Sequence, residues 1–249
     1  MSEVKKEETG KKVKEVIPLK GIRKAVAEHM LRSLRVSAQL TNSGTLDMTE
    51  IVKLRKTLLS QEKTTGIHYT YTDLFVKVVA QALERHPILN SSLIDDEIKV
   101  WEDINVGIAM AFALRGGGSG LIVPVVRNAD KKSLVEIHQA VIDLVERGRN
   151  LKLLPDDVTG GTFTITNVGV FGAGGRVVTG FGTPILNQPE VGILATTPIA
   201  DMPVVREGQI VIRPMMNFSL TYDHRVVMGE DAVRFTLTLQ QLMEEPELV

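Results

Sequence analysis

Cysteine is absent from all 249 residues. Its absence excludes disulfides, thiolate zinc sites and a cysteine nucleophile, and it suits a reducing cytosol, so a cytoplasmic location is expected. An excess of either charge is also missing: 29 Lys and Arg stand against 30 Asp and Glu, a net charge of −1. A nucleic-acid binder held by bulk positive charge is therefore not expected. No apolar run approaches the ~20 residues of a spanning helix, so no membrane partner is expected. The stretch Met1–Glu15 alternates lysines and glutamates without an apolar core, which excludes a secretory signal. It reads as a solvated tail or linker over residues 1–15, with the folded domain spanning 16–249. Histidines paired at i, i+4 and H-E-x-x-H are missing too, so no metal site is expected.

What is present is an ordinary globular composition, 43% hydrophobic and 24% charged, in a chain long enough for a sizeable core. Apolar residues recur at helical spacing over Gly21–Leu34 (Ile22, Val26, Met30), after Thr49, over Thr72–Arg85, over Ser133–Arg147 with Gly148 as the stop, and over Glu230–Glu244. In the last of these Ala232, Val233, Leu237, Gln240 and Leu242 fall in rough helical register. Strand character marks Gln39–Met48, Ile98–Trp101, Ile104–Ala113, Leu121–Val126, Thr162–Asn167, Val191–Thr196, Val204–Val205, Gln209–Ile212 and Met216–His224. Interspersed helices and strands predict one α/β domain with a mixed sheet.

Two glycine clusters invite a phosphate-loop reading and fail it. Gly116–Gly120 lacks the Lys-Ser/Thr ending, and Gly172–Gly175 has Val177 where a third glycine belongs. Both read as turns or loops. Among the histidines, His29, His86 and His138 fall within or beside helices and read as surface or boundary residues. His224 closes the strict alternation Phe218, Leu220, Tyr222, His224, which places it at a strand end on the core-facing side. From there it can point into a cleft; the plain alternative is a structural histidine. Thr162, Thr164 and Thr166 share one face of another strand, for which the plain reading is a half-exposed threonine strand.

Six ordered blocks carry a resemblance. They are I-P-L-K-G-I-R-K-A-V-A-E-H-M (Ile17–Met30), T-D-L-F-V-K-V-V-A-Q-A-L (Thr72–Leu83), G-L-I-V-P-V-V-R-N-A-D-K-K-S-L (Gly120–Leu134), G-G-T-F-T-I-T-N-V-G-V-F-G (Gly160–Gly172), T-P-I-L-N-Q-P-E-V-G-I-L (Thr183–Leu194) and R-P-M-M-N-F-S-L-T-Y-D-H-R-V-V-M-G (Arg213–Gly229). Together they resemble the catalytic core of the dihydrolipoamide acyltransferases of 2-oxo acid dehydrogenase complexes. The resemblance implies a chloramphenicol acetyltransferase-like mixed sheet flanked by helices, built as trimers with sites between subunits and assembled into larger cages. It implies acyl transfer between a dihydrolipoyl thiol, carried on a separate lipoyl domain, and coenzyme A. The implied partners are that lipoyl domain, the decarboxylase-dehydrogenase and dihydrolipoamide dehydrogenase. His224 maps to the family's general base and Thr166 to its oxyanion donor.

One position departs from the pattern. The family reads His-x-x-x-Asp-Gly, and here Met228 precedes Gly229. The resemblance pairs that aspartate with an arginine corresponding to Arg23, a bond methionine cannot accept. Asp223, Glu230 and Asp231 are the nearby carboxylates that could substitute. Two rival readings follow: a self-assembling scaffold with catalysis impaired by Met228, and an acetyltransferase acting on a free small molecule. The apolar residues Leu237, Leu239, Leu242, Met243, Leu248 and Val249 are expected to form a contact between trimers.

Overall fold

The computed structural model describes residues 13–113, 119–167 and 180–246. Residues 1–12 of the charged tail, Gly116–Gly118, the Gly172–Gly175 cluster, Leu248 and Val249 lie outside the described residues. In chain order the elements are α1 (Ile22–Val36), β1 (Gln39–Asp47), α2 (Thr49–Ser60), α3 (Glu62–Thr65), α4 (Tyr71–Arg85), β2 (Ser91–Ile94), β3 (Glu97–Val100), β4 (Val106–Ala113), β5 (Ser119–Ile122), β6 (Val125–Val126), α5 (Leu134–Arg149), β7 (Phe163–Asn167), β8 (Gly192–Thr196), β9 (Ala200–Arg206), β10 (Gln209–Asp223) and α6 (Gly229–Glu244). Among the described residues no helix is long and apolar enough to cross a membrane.

Helices α4 and α5 start where their sequences place a reciprocal cap. The Thr70 hydroxyl accepts the Asp73 N–H while the Asp73 carboxylate accepts the Thr70 N–H, and Ser133 with Glu136 does the same. Gly148 does not stop α5, which continues to Arg149 and is capped at Asn150. A Cβ at Gly148 would come within 3.0 Å of the Met110 thioether, so this glycine serves a close approach to the sheet. In α6 the register read from sequence coincides only in part with the buried face. Ala232, Phe235, Leu239, Leu242 and Met243 are buried, whereas Val233 and Leu237 are exposed. Phe235 is the anchor: its ring lies 5.7 Å from Phe163 and 5.9 Å from His86. Of the apolar C-terminal surface expected within the described residues, Leu237 alone remains exposed, because Leu239, Leu242 and Met243 belong to the core.

The main sheet runs β1-β10-β8-β7-β4-β5, with β6 also on β4 and β9 also on β10, while β2 and β3 form a separate hairpin. Strands β4, β7 and β8 are parallel, and β10 lies antiparallel to β8, β1 and β9. The expected strand Leu121–Val126 is split before Val125, where Pro124 lacks the N–H a ladder needs. By contrast, Gln209–Ile212 and Met216–His224 are one continuous strand, β10, ending at Asp223. One sheet face sets Phe163, Ile165, Leu194, Leu220 and Tyr222 into the core shared with α4 and α6. The other carries hydroxyls. Thr41 and Thr221 meet at 2.7 Å, Ser43 and Ser219 at 3.0 Å, and Thr45 donates to Asn217 at 3.0 Å. Strand β1 is an edge of this sheet.

Candidate active site

The D-H-R segment forms a turn. Asp223 is the last residue of β10, and its carbonyl accepts the N–H groups of Val226 and Val227 at 2.9 Å. Its carboxylate accepts the Arg225 N–H at 3.1 Å, the Ala38 N–H at 3.2 Å and the Arg225 guanidinium at 2.6 Å. Burial pushes this carboxyl up, but those donors and the Arg225 charge outweigh it and hold the group below the usual carboxylate range. The result reverses the expected facing. Asp223, from the polar side of the alternation, is 2% exposed, while His224 falls past the strand and faces solvent. His224 is fixed by its backbone, whose N–H donates to Ala38 at 2.8 Å, and by its ring lying 5.8 Å from that of Tyr222.

Four residues on, Met228 is 49% exposed and its N–H donates to Asp231 at 3.1 Å. Gly229 opens α6, and a Cβ there would meet open space. Of the carboxylates expected to replace the family aspartate, each has a local partner: Asp223 has Arg225, Asp231 caps α6 and Glu230 pairs with Arg234. Arg23 is half-buried in the first turn of α1.

Thr166 lies half-buried near the C-terminal end of β7. In register it stands beside Ala195, which stands beside Ser219, five residues before His224 on an antiparallel strand. Thr166 and His224 therefore occupy opposite ends of the sheet. With strands ~4.8 Å apart and ~3.3 Å of rise per residue, they are separated by roughly 20 Å within one chain. The half-exposed threonine strand is not what forms, since Thr164 is fully buried.

Two polar pairs escaped the sequence reading. His138, expected at a boundary, is buried with its Nδ1 2.8 Å from the Asp73 carboxylate, tying α5 to the start of α4. Glu190, just ahead of β8, is buried and receives the Thr164 hydroxyl at 2.5 Å and the Asn187 amide at 3.0 Å. The signal was available: an acidic residue heads the apolar run Val191–Leu194. Arg225 was legible only as part of the D-H-R block.

The helix-flanked mixed sheet with a histidine turn after its longest strand defines a chloramphenicol acetyltransferase-like fold. Chloramphenicol acetyltransferase, 12% identical, matches with a TM-score of 0.50 over 93% of this chain and 100% of its own. More specifically, the chain belongs to the 2-oxoacid dehydrogenases acyltransferase (catalytic domain) family, whose pattern matches residues 11–249. A dihydrolipoyllysine-residue succinyltransferase component of the 2-oxoglutarate dehydrogenase complex from Haemophilus influenzae is 38% identical over 92% of this chain and 54% of its own. The chain thus spans about half the length of the curated relatives it matches. The cubic core of a pyruvate dehydrogenase multienzyme complex is 30% identical with a TM-score of 0.86, covering 98% of this chain and 97% of that one. The dihydrolipoamide acetyltransferase of Azotobacter vinelandii is 32% identical with a TM-score of 0.83, over 92% of this chain and 90% of that one. In that enzyme a serine, a histidine and an asparagine four residues beyond the histidine were investigated for their role in catalysis.

Proposed function

We propose that this chain is the acyltransferase core of a 2-oxo acid dehydrogenase complex and moves an acyl group between a dihydrolipoyl thiol and coenzyme A. Family membership across residues 11–249 is the observation that carries this reading. His224 is its general base. A thiol of pKa ~8.5 is mostly protonated at neutral pH, and an imidazole open to solvent can take its proton as sulfur attacks the thioester carbonyl. The Thr166 hydroxyl donates to the oxyanion that forms, a contact whose removal typically costs about 10²–10³ in turnover. When the tetrahedral intermediate collapses, the departing thiolate recovers the proton from the His224 imidazolium.

The separation of His224 from Thr166 supports a shared site. At roughly 20 Å they cannot serve one carbonyl within a single chain, so His224 of one copy faces Thr166 of another, and the trimer that the resemblance implies is the minimum unit. The cubic core supports assembly of such trimers into a cage. A lipoyl domain, a 2-oxo acid decarboxylase-dehydrogenase and dihydrolipoamide dehydrogenase are the partners of this reading. The scaffold reading rested on Met228, and nothing favours it. The Azotobacter enzyme likewise carries an uncharged residue four positions beyond its histidine. The test is turnover with dihydrolipoamide and either succinyl-CoA or acetyl-CoA. His224→Ala is expected to lower it at least ~100-fold; equal turnover in parent and variant removes His224 from the mechanism.

A further inference from the structure

Helix α1 meets the described body through half-buried Val26, Ala27 and Met30 and through polar groups. Its one buried residue is Ser33, whose hydroxyl donates to the Leu186 carbonyl at 2.7 Å. One turn earlier, His29 Nε2 lies 3.1 Å from Asn187 Oδ1. Asn187 passes the contact inward, its amide donating to Glu190 Oε1 at 3.0 Å, and Glu190 Oε2 meets the Thr164 hydroxyl at 2.5 Å. The chain His29–Asn187–Glu190–Thr164 thus runs from α1 to β7. The space for it is built in: a Cβ at Gly161 would stand 2.7 Å from Glu190 Oε1 and 3.4 Å from Val125.

We propose that Glu190 is a positioning residue: buried and hydrogen-bonded to both Thr164 and Asn187, it locks α1 against β7. Where this bears on catalysis it rests on the acyl-transfer reading, because α1 carries Arg23 and β7 carries Thr166. The groups facing Glu190 are Thr164 from β7, Asn187 from the turn before β8, Gly161 with Val125 of β6, and the backbone of Ser92 in β2. His29 of α1 is the titratable group in reach, with Asn187 between. No charged side chain among the described residues acts on the carboxyl. Burial outweighs its two donors and pushes it up to about 8. An ionised carboxylate here would lack the counter-charge that buried ions need.

Glu190's raised pKa gives the lock a sign. The proton is kept in the closed state up to about pH 8, whereas an opening that wets Glu190 returns it to its ordinary value of 4.5. Opening is therefore least favoured below 4.5 and becomes about tenfold easier per pH unit from there up to 8.

Hydrogen exchange of Ile22–Val36 in the assembled full chain, corrected for intrinsic rates, tests this between pH 5.5 and pH 7.5. Protection is expected to fall about 100-fold across that range in the parent and to stay flat in Glu190→Gln, which keeps both hydrogen-bonding ends without a titratable proton. Parallel profiles overturn the inference. A measurement on the parent alone does not depend on the variant folding: the infrared carbonyl band of a protonated carboxylic acid should persist at pH 7 and vanish above pH 9. Its absence at pH 7 also overturns the inference. Turnover followed over the same range separates the two claims. A sloping exchange profile with a parent-to-variant turnover ratio that does not change keeps the lock and removes its link to acyl transfer.

Discussion

Helices α1 and α4 are each fifteen residues long, and both repeat apolar residues at helical spacing. Their uses are opposite. In α4 nine residues are buried, Leu74, Val79 and Leu83 completely, and the stripe seen in sequence is the stripe in the core. In α1 only Ser33 is buried, and Ile22, Leu31 and Leu34 are about half exposed. Periodicity shows that a helix has an apolar side; it does not say whose surface covers it. For α4 the cover is the chain's own sheet, α5 and α6. For α1 the inward side mixes the Ser33 hydroxyl and the His29 imidazole with half-buried Val26, Ala27 and Met30, and its outward apolar side is left uncovered within one chain.

Truncations on the two helices should separate sharply. Leu83→Ala, at a fully buried position of α4, is expected to cost about 2–5 kcal/mol in denaturant unfolding. A loss below ~1 kcal/mol would mean that α4 is not the core helix described here. Thr70→Ala removes the hydroxyl that caps α4 and should cost about 1 kcal/mol in the same experiment. Leu34→Ala, on the outward side of α1, should change unfolding of the dissociated chain by no more than about 0.5 kcal/mol. Its effect belongs in sedimentation, as a weaker trimer. A Leu34→Ala chain that unfolds early yet sediments like the parent would erase the contrast between the helices.

The sequence was most legible where one element answers to one local rule. The α4 stripe formed as read, whereas the capping boxes at Thr70 and Ser133 were local signals the reading passed over. It was less legible where long-range partners decide. Gln209–Ile212 and Met216–His224 were read as two strands, yet β10 runs through Pro214, which stands beside Asp201 of β9 one residue before the pairing with β1 begins at Met215. Alternation put His224 inside and Asp223 outside; the Arg225 and Ala38 donors drew the carboxylate in and left the ring outside. Val233 and Leu237 looked equivalent to the buried positions of α6 until Phe235 fixed its rotation. His224 and Thr166 were legible as residues through the resemblance, but their separation follows only from strand register. The Glu190 cluster spans α1, β7 and the turn before β8, three segments no local pattern joins.

Strand β1 has a consequence for the life of a newly made subunit. It is a nine-residue edge strand containing neither lysine nor proline, the residues that commonly blunt such edges. A lone copy thus presents a template for mispairing beside the apolar side of α1. Subunits that meet quickly are shielded, while those made slowly or in isolation are the ones chaperones and proteases must intercept. The yield of soluble protein should therefore depend on how fast copies find one another as well as on how stably each one folds.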